Sequence, residues 1–189
     1  MQIVTNSLPI ANLFASSRET DLVFLGGYIY PRTGVALGPL TVRMMDDIHV
    51  HQTILSAGGM TAKGLFNSNM LLVETERQMM RCADEVVVVA DHTKIGRQAL
   101  AFLCEWAMVD TLIVDKDLTP EQRGLIEQTD TRLVIAGDAN ARDAFQQTKN
   151  RRVRRGRREG GREKPKRVYG ALMTLFFLCV LCDLCGNSG

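Results

Sequence analysis

Over the first 140 residues, short unbroken apolar runs alternate with stretches whose apolar positions recur at helical spacing. The clearest run is "EVVVVA" (85–90), whose consecutive valines predict a strand covered on both faces. "IVTN" (3–6), "DLVFLGG" (21–27), "QTILSAGG" (52–59), "DTLIVD" (110–115) and "RLVIAGD" (132–138) read as further short strands closing on polar or glycine turns. Between them, Leu8 to Ala15 has helical spacing with Pro9 in the first turn, where its missing N–H would be unpaired anyway. Met70 to Cys82 predicts a second helix, with Leu72, Met79 and Met80 as apolar positions. Thr119-Pro120-Glu121-Gln122 opens a third, with Thr as N-cap, Pro at N1 and Gln at N3.

Strands without polar alternation, separated by helices, predict an α/β fold: a layered, mostly parallel sheet with helices on both faces. In such sheets ligands bind beyond the carboxyl ends of the strands. Asp91, His92, Thr93 and Lys94 follow the valine strand and fall on that edge. Asn6-Ser7, Gly26-Gly27 and Ser56-Ala57-Gly58-Gly59 follow other strands and share it. Glycines there let backbone N–H groups approach an anion.

Composition changes abruptly near Asn150. "RRVRRGRREGGREKPKR" (151–167) lacks apolar period and predicts a disordered basic linker, counted from residue 141 to 167. Residues 168–189 are nearly all apolar. The net charge of +2 conceals this division: residues 151–189 hold ten Lys/Arg against three Asp/Glu, so the body is mildly acidic. The basic run reads as a solvated tail rather than a nucleic-acid site, having no aromatic residue to stack on a base before Tyr169. The apolar run from Val168 reaches Asp183 too soon to span a bilayer, so no membrane association is expected. With no secretory leader in view and single cysteines in apolar contexts at Cys82 and Cys104, the protein reads as cytoplasmic. His49 and His51 stand two apart with no third ligand nearby, and Cys179, Cys182 and Cys185 lack a fourth cysteine. No metal and no cofactor are expected.

Five segments together resemble the effector-sensing domain of the DeoR family of bacterial transcriptional repressors: "VTNSLPIA" (4–11), "LGGYIYPRTGVALGPL" (25–40), "LLVETERQMM" (71–80), "VVVVADHTKIGRQAL" (86–100) and "DTLIVDKDLTPEQ" (110–122). The resemblance covers about residues 2–137, as a sensor domain over 1–140, and implies a ribose-5-phosphate isomerase-like fold. It also implies binding of a phosphorylated sugar or related anionic metabolite, homo-oligomers, and no enzymatic activity. Asn6 and Ser7 match the family's polar turn, Gly26 and Gly27 its glycine pair, and Glu74 a carboxylate beside the pocket. Asp91 and Lys94 match the pocket-edge segment, with Gly96 as its glycine. Gly58 and Gly59 fall where the family usually has Gly-Ala-Asp-Gly, here Ser-Ala-Gly-Gly.

Two departures set further expectations. The family's helix-turn-helix, through which DNA would be bound, does not precede Met1, and the chain starts where the family's second strand should. The sheet is therefore expected to lack its first strand and that strand's phosphate-cradling loop, leaving backbone groups exposed. The tail is expected to be non-native, and the chain a fragment of an effector sensor from a repressor of carbohydrate metabolism. The competing readings are a sugar-phosphate isomerase, with Asp91 or Glu74 as base and Lys94 as electrostatic partner, and a tail-anchored membrane protein.

Overall fold

The computed structural model describes residues 1–137 and the backbone of a strand at 175–178. The basic linker, the three tail cysteines and the remainder of the apolar run lie outside the described residues.

Seven parallel strands form the main sheet: β1 (Gln2–Thr5), β2 (Asp21–Phe24), β5 (Val50–Leu55), β8 (Ala83–Ala90), β10 (Thr111–Val114), β11 (Arg132–Ile135) and β12 (Leu175–Leu178). Their spatial order is β11-β10-β8-β5-β12-β1-β2. The valine run behaves as its pattern predicts, with Val86, Val87 and Val88 at most 1% exposed in the centre of the sheet. The parallel α/β class is as expected. The open edge of β1 is not: β12 lies beside it, Ile3 opposite Phe176, and pairs on its other side with β5, Thr53 opposite Phe177. A segment of the apolar tail thus stands between β1 and β5 and pairs with both.

Two smaller antiparallel sheets were not legible in the apolar pattern. β3 (Tyr28–Tyr30) and β4 (Val35–Leu37) form a hairpin. β6 (Gly59–Thr61), β7 (Gly64–Asn67) and β9 (Ala101–Cys104) form a three-stranded sheet. These strands have only three or four residues, too few to display a period.

Helices α1 (Leu8–Phe14), α2 (Pro39–Met44), α3 (Met70–Arg81) and α4 (Pro120–Glu127) complete the described part. Ser7 caps α1 by accepting from Ile10 N–H. Asn69 caps α3 by accepting from Leu71 and Leu72 N–H. Thr119 and Gln122 form the reciprocal capping box that their spacing predicts on α4. α3 turns Val73, Thr75, Glu76, Met79 and Met80 inward. Arg77 fastens it to β9, its Nε donating to Leu103 O and its guanidinium to Phe102 O, each at 2.9 Å. The main core joins this helix to the sheet through Leu55, Met60, Leu65, Val86, Val88, Leu112 and Ile126.

Candidate functional site

Because every strand of the main sheet runs the same way, their carboxyl ends share one edge. The turns that follow β1, β2, β5 and β8 therefore carry Asn6-Ser7, Gly26-Gly27, Gly58 and Asp91–Lys94 to that edge. β12 separates the first two turns from the last two. Neighbouring strands stand about 4.8 Å apart, so the Asn6 and Asp91 turns are roughly 14 Å from each other. They are opposite sides of a rim rather than one contact cluster.

On the β8 side, the chain after Ala90 makes a 3-10 turn, His92–Lys94. Asp91 caps it, its carboxylate accepting from the Thr93 N–H and hydroxyl. The next strand braces the turn. Asp115 accepts from His92 N–H at 2.7 Å and lies 2.8 Å from His92 Nδ1. It also accepts from Asp117 N–H at 2.9 Å. Partial desolvation pushes the Asp115 carboxyl upward, but the N–H groups of His92 and Asp117 and the His92 ring outweigh it and hold it below its ordinary value. An ionised carboxylate only accepts, so Nδ1 carries a proton toward it. From α4, Gln122 Nε2 donates to His92 O at 2.9 Å, and Gly96 N–H donates to Met60 O at 2.7 Å. Gly96, at φ +86°, has the left-handed conformation that ends the turn. Lys94 is half-buried on this braced loop. Among the described residues its ammonium has no carboxylate or hydrogen-bond partner.

On the β1 side, Asn6 is fully buried. Its Nδ2 donates to Ala36 O at 2.9 Å, while its Oδ1 has no partner among the described residues. Ser7, also buried, is occupied as the cap of α1. Thr41 on α2 donates its hydroxyl to Gly26 O at 2.8 Å and so fixes the glycine turn. A Cβ at Gly27 would collide with that same hydroxyl, whereas one at Gly26 would meet open space.

The two other glycines have a packing reason. Gly58 N–H donates to Phe66 O at 2.9 Å. A Cβ on Gly59 would strike the Arg97 carbonyl. Glu74 lies on the exposed face of α3, and its neighbour two residues on is the buried one. Glu76 is wholly enclosed, and Asn67 Nδ2 donates to both of its oxygens at 3.1 Å. Burial pushes its carboxyl up to about 8 against the opposing pull of Asn67. Burial, and then the Glu76 charge, push the Cys104 thiol up to about 12, so it is inert rather than nucleophilic.

The contacts that Asp115, Gln122 and Thr41 make to these turns escaped the sequence reading. Each acts on a turn 15 to 30 residues away. Only the strand order, which brings β10 beside β8, would have revealed the first two.

Residues 1–116 match the family model of the DeoR C-terminal sensor domain. The chain belongs to the DeoR sensor family. Among its relatives is the HTH-type transcriptional regulator UlaR of Shigella dysenteriae serotype 1 (strain Sd197). It is 30% identical over 122 residues, 64% of this chain and 48% of the relative. The UlaR regulator of Escherichia coli strain K12 / DH10B shows the same identity and coverage. The chain spans about half the length of the curated relatives it matches. Among the described residues, no helix of this DeoR-type domain is long and apolar enough to cross a membrane.

Proposed function

We propose that this DeoR-type domain senses a phosphorylated sugar, or a similar small anionic metabolite, at the carboxyl edge of its parallel sheet. The observation that carries this reading is the loop Asp91–Gly96: it presents an ammonium with no described partner on a backbone fixed from three directions. A cation held in place by its surroundings binds an anion without first being ordered. Across the rim, Asn6 Oδ1 is a buried acceptor awaiting a donor, and a sugar hydroxyl provides one. Gly26 leaves room for backbone approach. Glu74, Ser7, Gly27, Gly58 and Gly59 belong to the same proposed edge, the glycines chiefly by shaping its turns.

The reading is a sensor rather than an isomerase. The Asp91 carboxylate is engaged by Thr93, Glu74 faces away from the core, and neither is poised as a base for a carbon-bound proton. In the intact regulator, ligand binding here would alter the operator affinity of a helix-turn-helix; the UlaR relatives are named HTH-type transcriptional regulators. Such a regulator of carbohydrate metabolism would work in the cytoplasm as a homo-oligomer. Exposed Leu13, Tyr28 and Leu40 offer apolar surface for self-association.

Thermal unfolding of the full chain against a panel of pentose and hexose phosphates tests the proposal. The correct ligand raises stability by about 2.7 kcal/mol at a hundredfold excess over its dissociation constant. Lys94→Ala should abolish most of that shift while leaving the ligand-free midpoint unchanged. A shift that survives Lys94→Ala undiminished would move the anion site elsewhere.

A further inference from the structure

The turn that follows β10 closes on the turn that follows β8. Val114 pairs with Ala90, so Asp115 and Asp91 leave neighbouring strand ends side by side. The two oxygens of Asp115 have different work. Oδ2 accepts from the His92 N–H at 2.7 Å and holds the backbone of the 3-10 turn. Oδ1 lies 2.8 Å from His92 Nδ1 and accepts from the Asp117 N–H at 2.9 Å. That last bond folds the chain back, and the Asp117 carboxylate arrives at the same place. One ligand atom from each of His92, Asp115 and Asp117 lies within 4.8 Å of the other two, a closeness that no other such trio among the described residues reaches.

Bracing the turn requires only part of this chemistry. The bond from the His92 N–H to Oδ2 is complete without the imidazole and without a second carboxylate. Among the described residues, Asp117 has no hydrogen-bond or ion-pair partner for its side chain, and neither carboxylate pairs with a lysine or arginine. Two negative charges therefore share one small space, and a cation placed between them relieves their repulsion. When an ion takes Nδ1, the ring proton resides on Nε2, and the lone pair of Oδ1 that faced the imidazole faces the ion instead. Both backbone bonds to Asp115 remain intact.

The separations fit an octahedral shell. With metal–donor distances of about 2.1 Å, adjacent donors stand about 3.0 Å apart and opposite ones about 4.2 Å. His92 Nδ1 and Asp115 Oδ1 are already an adjacent pair, and Asp117, exposed and unheld, has only to turn inward. The His92 and Asp115 side chains are 33% and 34% exposed, so water can fill the remaining positions. One imidazole and two carboxylates suit an ion of manganese type better than calcium, which takes oxygen donors alone. We propose that His92, Asp115 and Asp117 form a binding site for a manganese-like divalent ion at the carboxyl edge of the sheet. The ion would stand on the same turn as Lys94 and add positive charge to the rim. That consequence rests on the effector reading, whereas the site itself does not.

The test is calorimetric titration of the full chain with manganese chloride, with no sugar phosphate present. Manganese is preferred to zinc because soft thiolates such as those of Cys179, Cys182 and Cys185 select zinc. The expected result is one saturable equivalent, weakened about tenfold or more by Asp117→Asn, since losing a ligand costs at least what losing its outer-shell partner costs. Asp117 is exposed, so this variant should melt with the parent protein. Asp84→Asn, which removes the carboxylate that His49 and His51 contact at the other edge, should leave binding unchanged. Histidine ring resonances give a second readout. Paramagnetic manganese should broaden those of His92 first and leave His49 and His51 sharp. Binding undiminished by Asp117→Asn, binding lost with Asp84→Asn, broadening confined to His49 and His51, or no saturable binding overturns the proposal. The sugar-phosphate reading is tested separately, by the Lys94→Ala comparison.

Discussion

The two sides of the sheet are built differently. On the β5–β8–β10–β11 side, α3 buries five of its twelve residues, and the three-stranded sheet is fastened to it through Arg77. On the β1–β2 side, α1 buries no residue completely and α2 buries only Thr41. The first side coheres through side chains packed from several directions. Within the sheet, the second is joined to it through β12 alone, which pairs with β1 on one flank and β5 on the other. One core nevertheless spans both sides, taking in Val4, Leu25 and Met45 together with Val86, Val88 and Met79, so the sides differ in how deeply their helices are buried rather than in continuity of packing. The proposed effector rim straddles the boundary between them.

The contrast can be broken most severely at β12. Phe177→Pro removes a ladder donor from the middle of a paired strand, where proline is not tolerated. A loss of about 3 kcal/mol is expected in denaturant unfolding. In hydrogen exchange the Gln2–Thr5 amides should lose protection while Val86–Val88 keep theirs. Equal protection of Gln2–Thr5 in the two proteins would mean that β1 does not depend on β12.

Acidity probes the better-packed side. Glu76 titrates near 4.5 when unfolded and is pushed up to about 8 when folded. The folded state therefore holds its proton across a range in which the unfolded state has released it. Stability is greatest below the lower value and falls as pH rises toward the upper, by at most about 1.4 kcal/mol per pH unit. Glu76→Gln should flatten that slope in unfolding curves measured from pH 5 to pH 8. A slope unchanged by the substitution would assign the pH dependence to other groups.

The smallest expected effect sharpens the comparison between the two sets of turns. Gly59→Ala forces a methyl group against the Arg97 carbonyl and should cost about 2 kcal/mol. Gly26→Ala meets open space and should change stability by no more than about 0.5 kcal/mol. Paired melting curves of the two variants check both values.

What the sequence disclosed follows from how far each interaction reaches along the chain. The valine strand, the helix from Met70, the Thr119 helix start and the alternation of strands with helices rest on residues a few positions apart, and they stand as read. The assignment of Asp91 and Lys94 to a strand's carboxyl end needed only the parallel-sheet rule. The contacts of Asp115 and Gln122 with the His92 turn were invisible because they reach 23 and 30 residues along the chain, joined by strand order and register that no local pattern encodes. Glu74 and Glu76 illustrate a finer limit. Both sit on one helix, and which of them is enclosed depends on the strands that α3 meets. The place of 175–178 was hidden most deeply, since its apolar composition is equally that of a membrane segment.

The pairing of Gln2 with Leu175 joins positions separated by nearly the whole chain. Such a contact has a very large sequence separation, and contacts of that kind form slowly. During synthesis β1 leaves the ribosome long before the segment that stands between it and β5. The early strands must wait for that segment, and over that interval the nascent chain exposes unpaired edges to chaperones and to other copies of itself.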